Sequence, residues 1–554
     1  MGKKSSGNSS VSFIEFLRDE EFWYILLTLY FFVRNVSYVY SKQGALLNSD
    51  ASGEMILASH LNKVGGFLST DWFYSSELRV LNTQIVYKLG LLFFPHNWHL
   101  ARTFSVGLFM LILIAAGWYL MWVMGKKKKG FLAAAILICP FGQWYAWNVI
   151  YNSYYVPHIA ISLLSVAMFI HLMKTDKKPL RYMLIALSVI LALVAGLGGV
   201  RQLMVCYIPL WIAMLILVIP KIGKKAAAVS ENETGTAKQN GDDSGNVVSG
   251  KKSLTFMFLL STGILAGSFV GYLINEKVLS NIFSFKDYTE TIWMEFNFEN
   301  VRIVSEQLFR QFGWVPYIKV FSFEGVMNFI SFVMILVIIA AFIISWKKFK
   351  SLPKEEQILL TYTTIASVLM LFLFAETWVY NESYWIPILP FMFFPLIFLI
   401  KIEEKDNKGL IFAGAFMLTL VCLGISTGKH PFILDVPNSE DIHKVAYWLS
   451  EQDEYTKGIA SFWSAPVVTE LTDGKIEMWT VEDYEHLEPS TWLQEKSHIN
   501  LPEGKVFILM PCSQADADPY RKQELKNRVL YNDGKYIVYG FDNYMQYFAG
   551  AAEE

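Results

Sequence analysis

Cysteine is scarce in this chain of 554 residues, which holds only four. Cys139, Cys206 and Cys422 lie within apolar segments and Cys512 stands alone in the C-terminal tail. No pair is therefore available to staple the tail, and no metal-ligand spacing appears. The phosphate loop GxxxxGK[ST] and the zinc motif HExxH are absent, which removes the cheapest support for ATP-driven transport and for metalloproteolysis. The N-terminal stretch does not read as a cleaved signal peptide. The start MGKKSSGNSS is followed by a polar, charged stretch up to Glu21 before the first apolar run at Phe22, so it reads as a tail leading into a signal anchor. A basic patch for nucleic acid is lacking, because from Lys429 onward acids outnumber bases 22 to 11.

What the chain has in abundance is apolar length. It is 54% hydrophobic with a mean hydropathy of +0.35, and several runs exceed the roughly 18 residues that mark a membrane span. The pattern predicts a multi-pass α-helical membrane protein of about eleven transmembrane helices, the first at Phe22–Tyr38. The blocks GKKKKG (Gly125–Gly130), KTDKK (Lys174–Lys178), KIGKK (Lys221–Lys225) and WKKFK (Trp346–Lys350) stop spans on one side, which should face the cytoplasm. The expected organisation is a cytoplasmic tail (1–21) and a transmembrane domain (22–426) with outer loops at 39–98 and 276–321. A flexible cytoplasmic linker at 223–252 and an extracytoplasmic α/β domain (427–554) complete it. An odd number of spans with the N-terminus inside puts the tail outside, independently of the lysine pattern. In the first outer loop, Asp50–Leu61 and Glu77–Phe94 read as helices lying on the membrane surface.

Chemistry-bearing residues gather on the outer side. Asp50, in LLNSDASGEMILASH, follows the first span closely and could take a proton from an incoming hydroxyl; it could equally cap the helix that follows. Glu54 lies one turn later on the same face, Asp71 sits beside Trp72 in STDWF, and His60 is a polar neighbour of the same segment. Arg201 follows the glycines of AGLGGV at the outer end of an apolar hairpin. There it either meets an anion such as a lipid phosphate or snorkels to headgroups. Lys286, Arg302 and Arg310 are cations of the second long loop. Tyr151 in WNVIYNSYYVPH, and Glu382 and Tyr384 in AETWVYNESYWIP, suit either sugar stacking or an interfacial aromatic belt. His158 has no obvious partner and reads as structural.

These residues carry a resemblance. LLNSDASGEM after the first span, the tip GLGGVRQ, the partly amphipathic loop Asn281–Tyr317 and NESYWIPILP opening the tenth span are similar to the layout of the GT-C superfamily. These integral-membrane glycosyltransferases include the protein O-mannosyltransferases and the bacterial aminoarabinose and arabinose transferases. The resemblance implies that Asp50 is the catalytic base, that Glu54 or Asp71 is a second acid, and that Arg201, helped by Arg302 and Arg310, binds the donor phosphate. His60, Trp72, Tyr151, Glu382 and Tyr384 would then contact sugar or acceptor. It further implies an inverting transfer, on the outer face of a bacterial plasma membrane, from a polyprenyl-phosphate sugar to an envelope glycan, polymer or lipid. No cofactor is expected, and a divalent metal is compatible but called for by no motif. Two departures stand out: the acids are spaced D-A-S-G-E, and Glu382-Ser383-Tyr384 stands where many members carry an Arg-Tyr pair. A flippase for a lipid-linked saccharide, or a ligase or polymerase using a polyprenyl-diphosphate donor, fits the same layout.

Overall fold

A computed structural model of the chain describes residues 19–76, 78–219, 248–285, 293–377, 382–400, 407–429 and 440–549. Lys286, Tyr380 and most of the expected linker (223–247) lie outside the described residues, as do 1–18 of the N-terminal tail.

The chain begins as a long helix, α1 (Glu20–Leu46), capped by the Asp19 carboxylate, which accepts from the Glu21 backbone N–H at 3.2 Å. A second helix, α2 (Ser49–Val64), follows at once. Asn48, not Asp50, caps it, accepting from the Ala51 N–H at 2.8 Å. A short strand β1 (Trp72–Phe73), helix α3 (Gln84–Phe93) and the long apolar helix α4 (Trp98–Val123) come next. The membrane part continues with α5 (Val156–Lys174), α6 (Lys178–Gly196), α7 (Val248–Lys277), α8 (Phe298–Gln311), α9 (Phe323–Lys347) and α10 (Lys354–Ala375). Proline opens both α5 and α6, where its missing N–H costs nothing. Helices α6 and α7 pack backbone to backbone. A Cβ on Gly196 would stand 2.0 Å from Ser268 O, and one on Gly271 would stand 2.1 Å from Leu193 O. Such close approach between apolar helices is how spans associate where lipid supplies no hydrophobic driving force.

The protein is a multi-pass membrane protein, but eleven spans is too many. Seven helices among the described residues are long and apolar enough to cross a bilayer, or eight if Lys127–Ile138 and Gln143–Tyr151, bent by 92°, count as one broken span. The expected sixth, tenth and eleventh spans contain shorter helical runs, Leu203–Ile219, Leu389–Leu399 and Ile411–Ile425. Hydropathy registers apolar residues but not helix breaks. The tenth segment is broken at Pro395 into helical pieces of four and six residues, the first opened by Pro390, and the sixth opens on a π-helical turn, Leu203–Tyr207. The first-loop helices also differ from a surface pair. Most of α2 is buried, and the second helix starts at Gln84, not Glu77.

The C-terminal region is an α/β unit. After α11 (Glu440–Ser450) come β2 (Lys457–Ser461), α12 (Ala465–Leu471), β3 (Glu477–Val481), β4 (Gln494–Glu495) and β5 (Val506–Pro511). Helix α13 (Pro519–Glu524), β6 (Val529–Asn532) and β7 (Tyr536–Phe541) complete it. Five strands form one sheet in the order β3-β2-β5-β7-β6; β3, β2 and β5 run parallel, and β7 and β6 close it antiparallel. Alternation along β5 sends Phe507 and Leu509 to the α11–α12 face and Val506, Ile508 and Met510 to the other. The unit docks on the first loop through α12 and β4, which pack on α2, and through the antiparallel pairing of β4 with β1.

Candidate active site

The site grows from α2, because that helix is fixed on three sides. From the membrane part, Arg102 of α4 donates through Nη2 to Ala51 O at 2.9 Å and through Nη1 to the Tyr87 hydroxyl at 3.1 Å. From the C-terminal unit, both Glu470 carboxylate oxygens of α12 accept from Arg102, one from Nη2 at 2.6 Å and the other from Nε. The two side chains are 1% and 0% exposed, so this ion pair ties three segments at one buried point. On its third side, Gly53 lies against Leu493, whose backbone is left-handed at φ 49°; a Cβ on Gly53 would meet the Leu493 Cβ at 3.2 Å.

The two acids of α2 have different duties. Glu54 is 5% exposed and its carboxylate accepts from Asn82 Nδ2 at 3.3 Å, from the Thr83 hydroxyl at 3.0 Å and from the Gln84 backbone N–H. Those donors stand at the start of α3, so Glu54 caps α3 from a neighbouring helix and fixes the segment that carries Arg79. Asp50 accepts no hydrogen bond from the described residues and remains partly open. Burial raises both carboxyls above their ordinary values, while the Arg79 guanidinium pulls them back. Arg79 itself is buried and lies 4.9 Å over the Tyr154 ring. Burial also raises the Tyr154 phenol, against the pull of Arg79, so it stays a protonated donor beside the two acids.

From Arg79 the polar file continues to Arg201. The Arg201 guanidinium is half-buried between two rings, 4.8 Å from that of Tyr384 and 5.3 Å from that of Tyr155. His158 lies within electrostatic reach of both Arg79 and Arg201. Its Nδ1 is 3.1 Å from Gln202 Nε2, which also donates to His158 O at 3.1 Å, while Gln202 Oε1 accepts from Ser162 at 3.2 Å. Those partners fix the amide orientation, so Nδ1 accepts and the proton of the neutral ring sits on Nε2. Nε2 has no partner among the described residues. Two π-helical turns, Ala146–Tyr151 and Leu203–Tyr207, adjoin these side chains, a local geometry frequent at functional sites.

Of the residues singled out in the sequence, the structure thus brings Asp50, Glu54, Arg201 and Tyr384 into one cluster. It adds Arg79, which no spacing signalled, and His158, which the sequence suggested was structural. The others lie elsewhere. Arg302 is 63% exposed and paired with Glu299 at 2.5 Å on α8. Arg310 pairs with Glu306 at 2.8 Å and neighbours the half-buried Glu382, whose carboxyl is raised by burial against the pull of Arg310. Tyr151 takes a hydrogen bond from Arg34 at 3.2 Å, and its ring lies tilted against that of Tyr38 at 5.0 Å. Asp71 is exposed, and its carbonyl accepts from the Lys496 N–H. His60 and Trp72 belong to the docking seam: His60 contacts Ser69 at 2.9 Å and Glu495 at 3.0 Å, 5.7 Å from the Trp72 ring. Among the described residues no three His, Cys, Asp or Glu side chains gather as a metal site.

An apolar groove of about 560 Å³ begins at Leu81, two residues beyond Arg79, and runs between α5 and α6 past Met168 and Leu184 to Tyr119 and His171. The cluster therefore offers an uncommitted carboxylate, two arginines and a ring N–H, and a lipid-compatible groove starts two residues along the chain from Arg79.

No family model matches the sequence, and no curated protein matches it. Solved structures do. ArnT from Cupriavidus metallidurans in the apo state is similar with a TM-score of 0.54 at 10% identity, covering 94% of this chain and 97% of that chain. The same protein bound to undecaprenyl phosphate is similar with a TM-score of 0.53 at 10% identity, covering 92% and 97%. The likeness is one of fold: this chain shares the overall fold of that membrane protein.

Proposed function

We propose that the protein is an inverting glycosyltransferase that moves a sugar from a polyprenyl-phosphate donor to a hydroxyl of an envelope glycan, polymer or lipid, on the outer face of a plasma membrane. The observation that carries this reading is the division of labour on α2, where Glu54 is consumed as a cap and Asp50 is left open beside Arg79. One available carboxylate suits a base and not a pair of catalytic acids. Asp50 takes the proton of the acceptor hydroxyl, whose oxygen attacks the anomeric carbon from the face opposite the phosphate. The glycosidic C–O bond breaks and its electrons leave with the polyprenyl phosphate. Arg201, held between Tyr155 and Tyr384, receives that growing charge, with the His158 Nε2–H and Arg79 as further donors. The groove that begins at Leu81 takes the isoprenoid tail. The fold shared with ArnT, a protein solved with undecaprenyl phosphate bound, supports this donor class.

The presence of two arginines within reach of one imidazole also favours a second reading, a ligase or polymerase with a diphosphate donor. The test is transfer from a polyprenyl-phosphate sugar by the purified Asp50→Asn variant. Loss of a general base typically removes about 10²–10⁴ in rate. Transfer above about a tenth of the wild-type rate would remove Asp50 as the base. Activity of the wild type with the diphosphate donor alone would select the second reading.

A further inference from the structure

Far from the acids of α2, the C-terminal unit has a cavity of about 410 Å³, whose walls include Tyr484, Met510, Arg521, Tyr539 and Tyr547. We infer that this cavity is a separate binding site for a small ring-bearing carboxylate, a uronic acid in size and charge.

The position is the first reason. In the sheet, β2 is followed by β3 on one side and later by β5 on the other, so the direction of winding reverses between β2 and β5. Ligands of open α/β sheets bind outside the carboxyl ends of the strands at such a reversal. Tyr484 marks the place. Its hydroxyl accepts from the Ser461 N–H at 2.9 Å at the end of β2 and donates to Leu509 O at 2.8 Å on β5, with the cavity beside it.

The polar inventory is the second reason. The Asp518 carboxylate is occupied, accepting from the Arg521 N–H at 3.0 Å. Lys522 is paired with Asp516, and the Tyr547 hydroxyl donates to Tyr484 O at 2.7 Å. What remains buried without a hydrogen-bond partner is Arg521 Nε and Nη2 and the hydroxyl of Tyr539, a side chain 1% exposed on β7. The Arg521 guanidinium lies 4.2 Å over the Tyr547 ring and makes no ion pair among the described residues. The uncommitted buried groups are two N–H positions of a guanidinium that also bonds Tyr547 and cannot deprotonate, and a phenol hydroxyl that can donate, so an anionic acceptor complements them. The volume falls within the range of small-molecule pockets, about 300–1,000 Å³, and exceeds what a bare inorganic ion fills. Three tyrosine rings line it, as a ring-bearing ligand requires. Glu485 and Asp518 also line it, and their charge opposes a multiply charged phosphate ester more than a single carboxylate.

The test is equilibrium titration of the full-length protein in detergent with D-glucuronate, D-glucose and inorganic phosphate. Glucuronate should bind saturably, and glucose should not. Tyr539→Phe should weaken glucuronate about tenfold, the equivalent of one hydrogen bond worth about 1.4 kcal/mol. Arg521→Gln should abolish binding. Tyr539→Phe removes a hydroxyl that bonds to nothing in the described structure, so its unliganded thermal stability should match or exceed wild type, which separates binding from folding. Asp50→Asn should bind glucuronate normally, so failure of the proposed transfer reaction and failure of this site are distinguishable. No saturable glucuronate binding, or binding indifferent to both substitutions, would overturn the proposal. Phosphate binding as tight as glucuronate would overturn the ring-bearing ligand.

Discussion

Glu470→Leu should release the C-terminal unit from the helix that carries Asp50. The Glu470 carboxylate and the Arg102 guanidinium are almost wholly buried and joined by two hydrogen bonds. Leucine leaves the Arg102 charge buried with only the Tyr87 hydroxyl and the Ala51 carbonyl beside it. Removing one partner of a buried ion pair costs about 3–5 kcal/mol, because the stranded charge has lost both water and counter-ion. Arg102→Met should cost less, since an isolated buried carboxylate can neutralise by protonation. The double variant should lie close to wild type, within about 1–2 kcal/mol, since no charge is stranded and Tyr87 still donates to Asn152 O at 2.8 Å. The coupling energy of this cycle should therefore exceed about 1 kcal/mol. Reversible unfolding in mixed micelles, followed by the fluorescence of the 17 tryptophans, measures it. A Glu470→Leu loss under about 1 kcal/mol, or a double variant as damaged as the sum of the singles, would refute the reasoning.

Four further outcomes are expected. Arg201→Ala should raise the donor concentration for half-maximal transfer by about tenfold or more and Arg201→Lys should recover part of it, while Arg302→Ala stays within about twofold of wild type; equal effects at 201 and 302 would remove Arg201 from the donor site. His158→Ala should weaken donor use about tenfold with the acceptor dependence unchanged, and unchanged donor kinetics would show that Nε2–H faces no phosphate. Asp50 has its carboxyl raised above 3.8 by burial, so transfer should fall on the acid side at a pH above the ordinary aspartate range. The folded state holds this proton more tightly than the unfolded one. Wild type therefore loses stability as pH rises from 3.8 through the folded value, and Asp50→Asn should be the more stable protein at neutral pH, with the difference vanishing at pH below 3.8. A constant difference at all pH values would place its origin elsewhere.

Parts of the site were legible because they depend on local order. Asp50 and Glu54 are one turn apart, so α2 presents both to the same side whatever surrounds it. Arg201 stands out because an arginine at the end of an apolar hairpin needs an anion or an exit to water. Nothing local distinguishes their roles. Glu54 became a cap only because Asn82, Thr83 and Gln84 fold back onto α2, and Asp50 stayed open only because Asn48 took the capping position. Arg79 and His158 were illegible for the same reason: each is an isolated polar residue until α3 and α5 converge beside the Arg201 tip.

The sequence by itself determined the environment and the architecture in outline. Long apolar runs dictate helices in a bilayer, because no other open structure satisfies the backbone there. The alternation in the tail dictates strands, as β5 and β7 show. Tertiary structure alone decided how many of those runs form long helices, because prolines and π-helical turns break segments that hydropathy treats as continuous. It also decided which charges gather at the proposed site and which are mortar. Arg102 and Glu470, 368 residues apart, neutralise each other in the core and hold α2 in place, whereas Arg79 and Arg201 gather round His158 beside an open carboxylate. The role of a charge depends on what desolvates it and what stands within a few ångströms, and only the folded chain sets those distances.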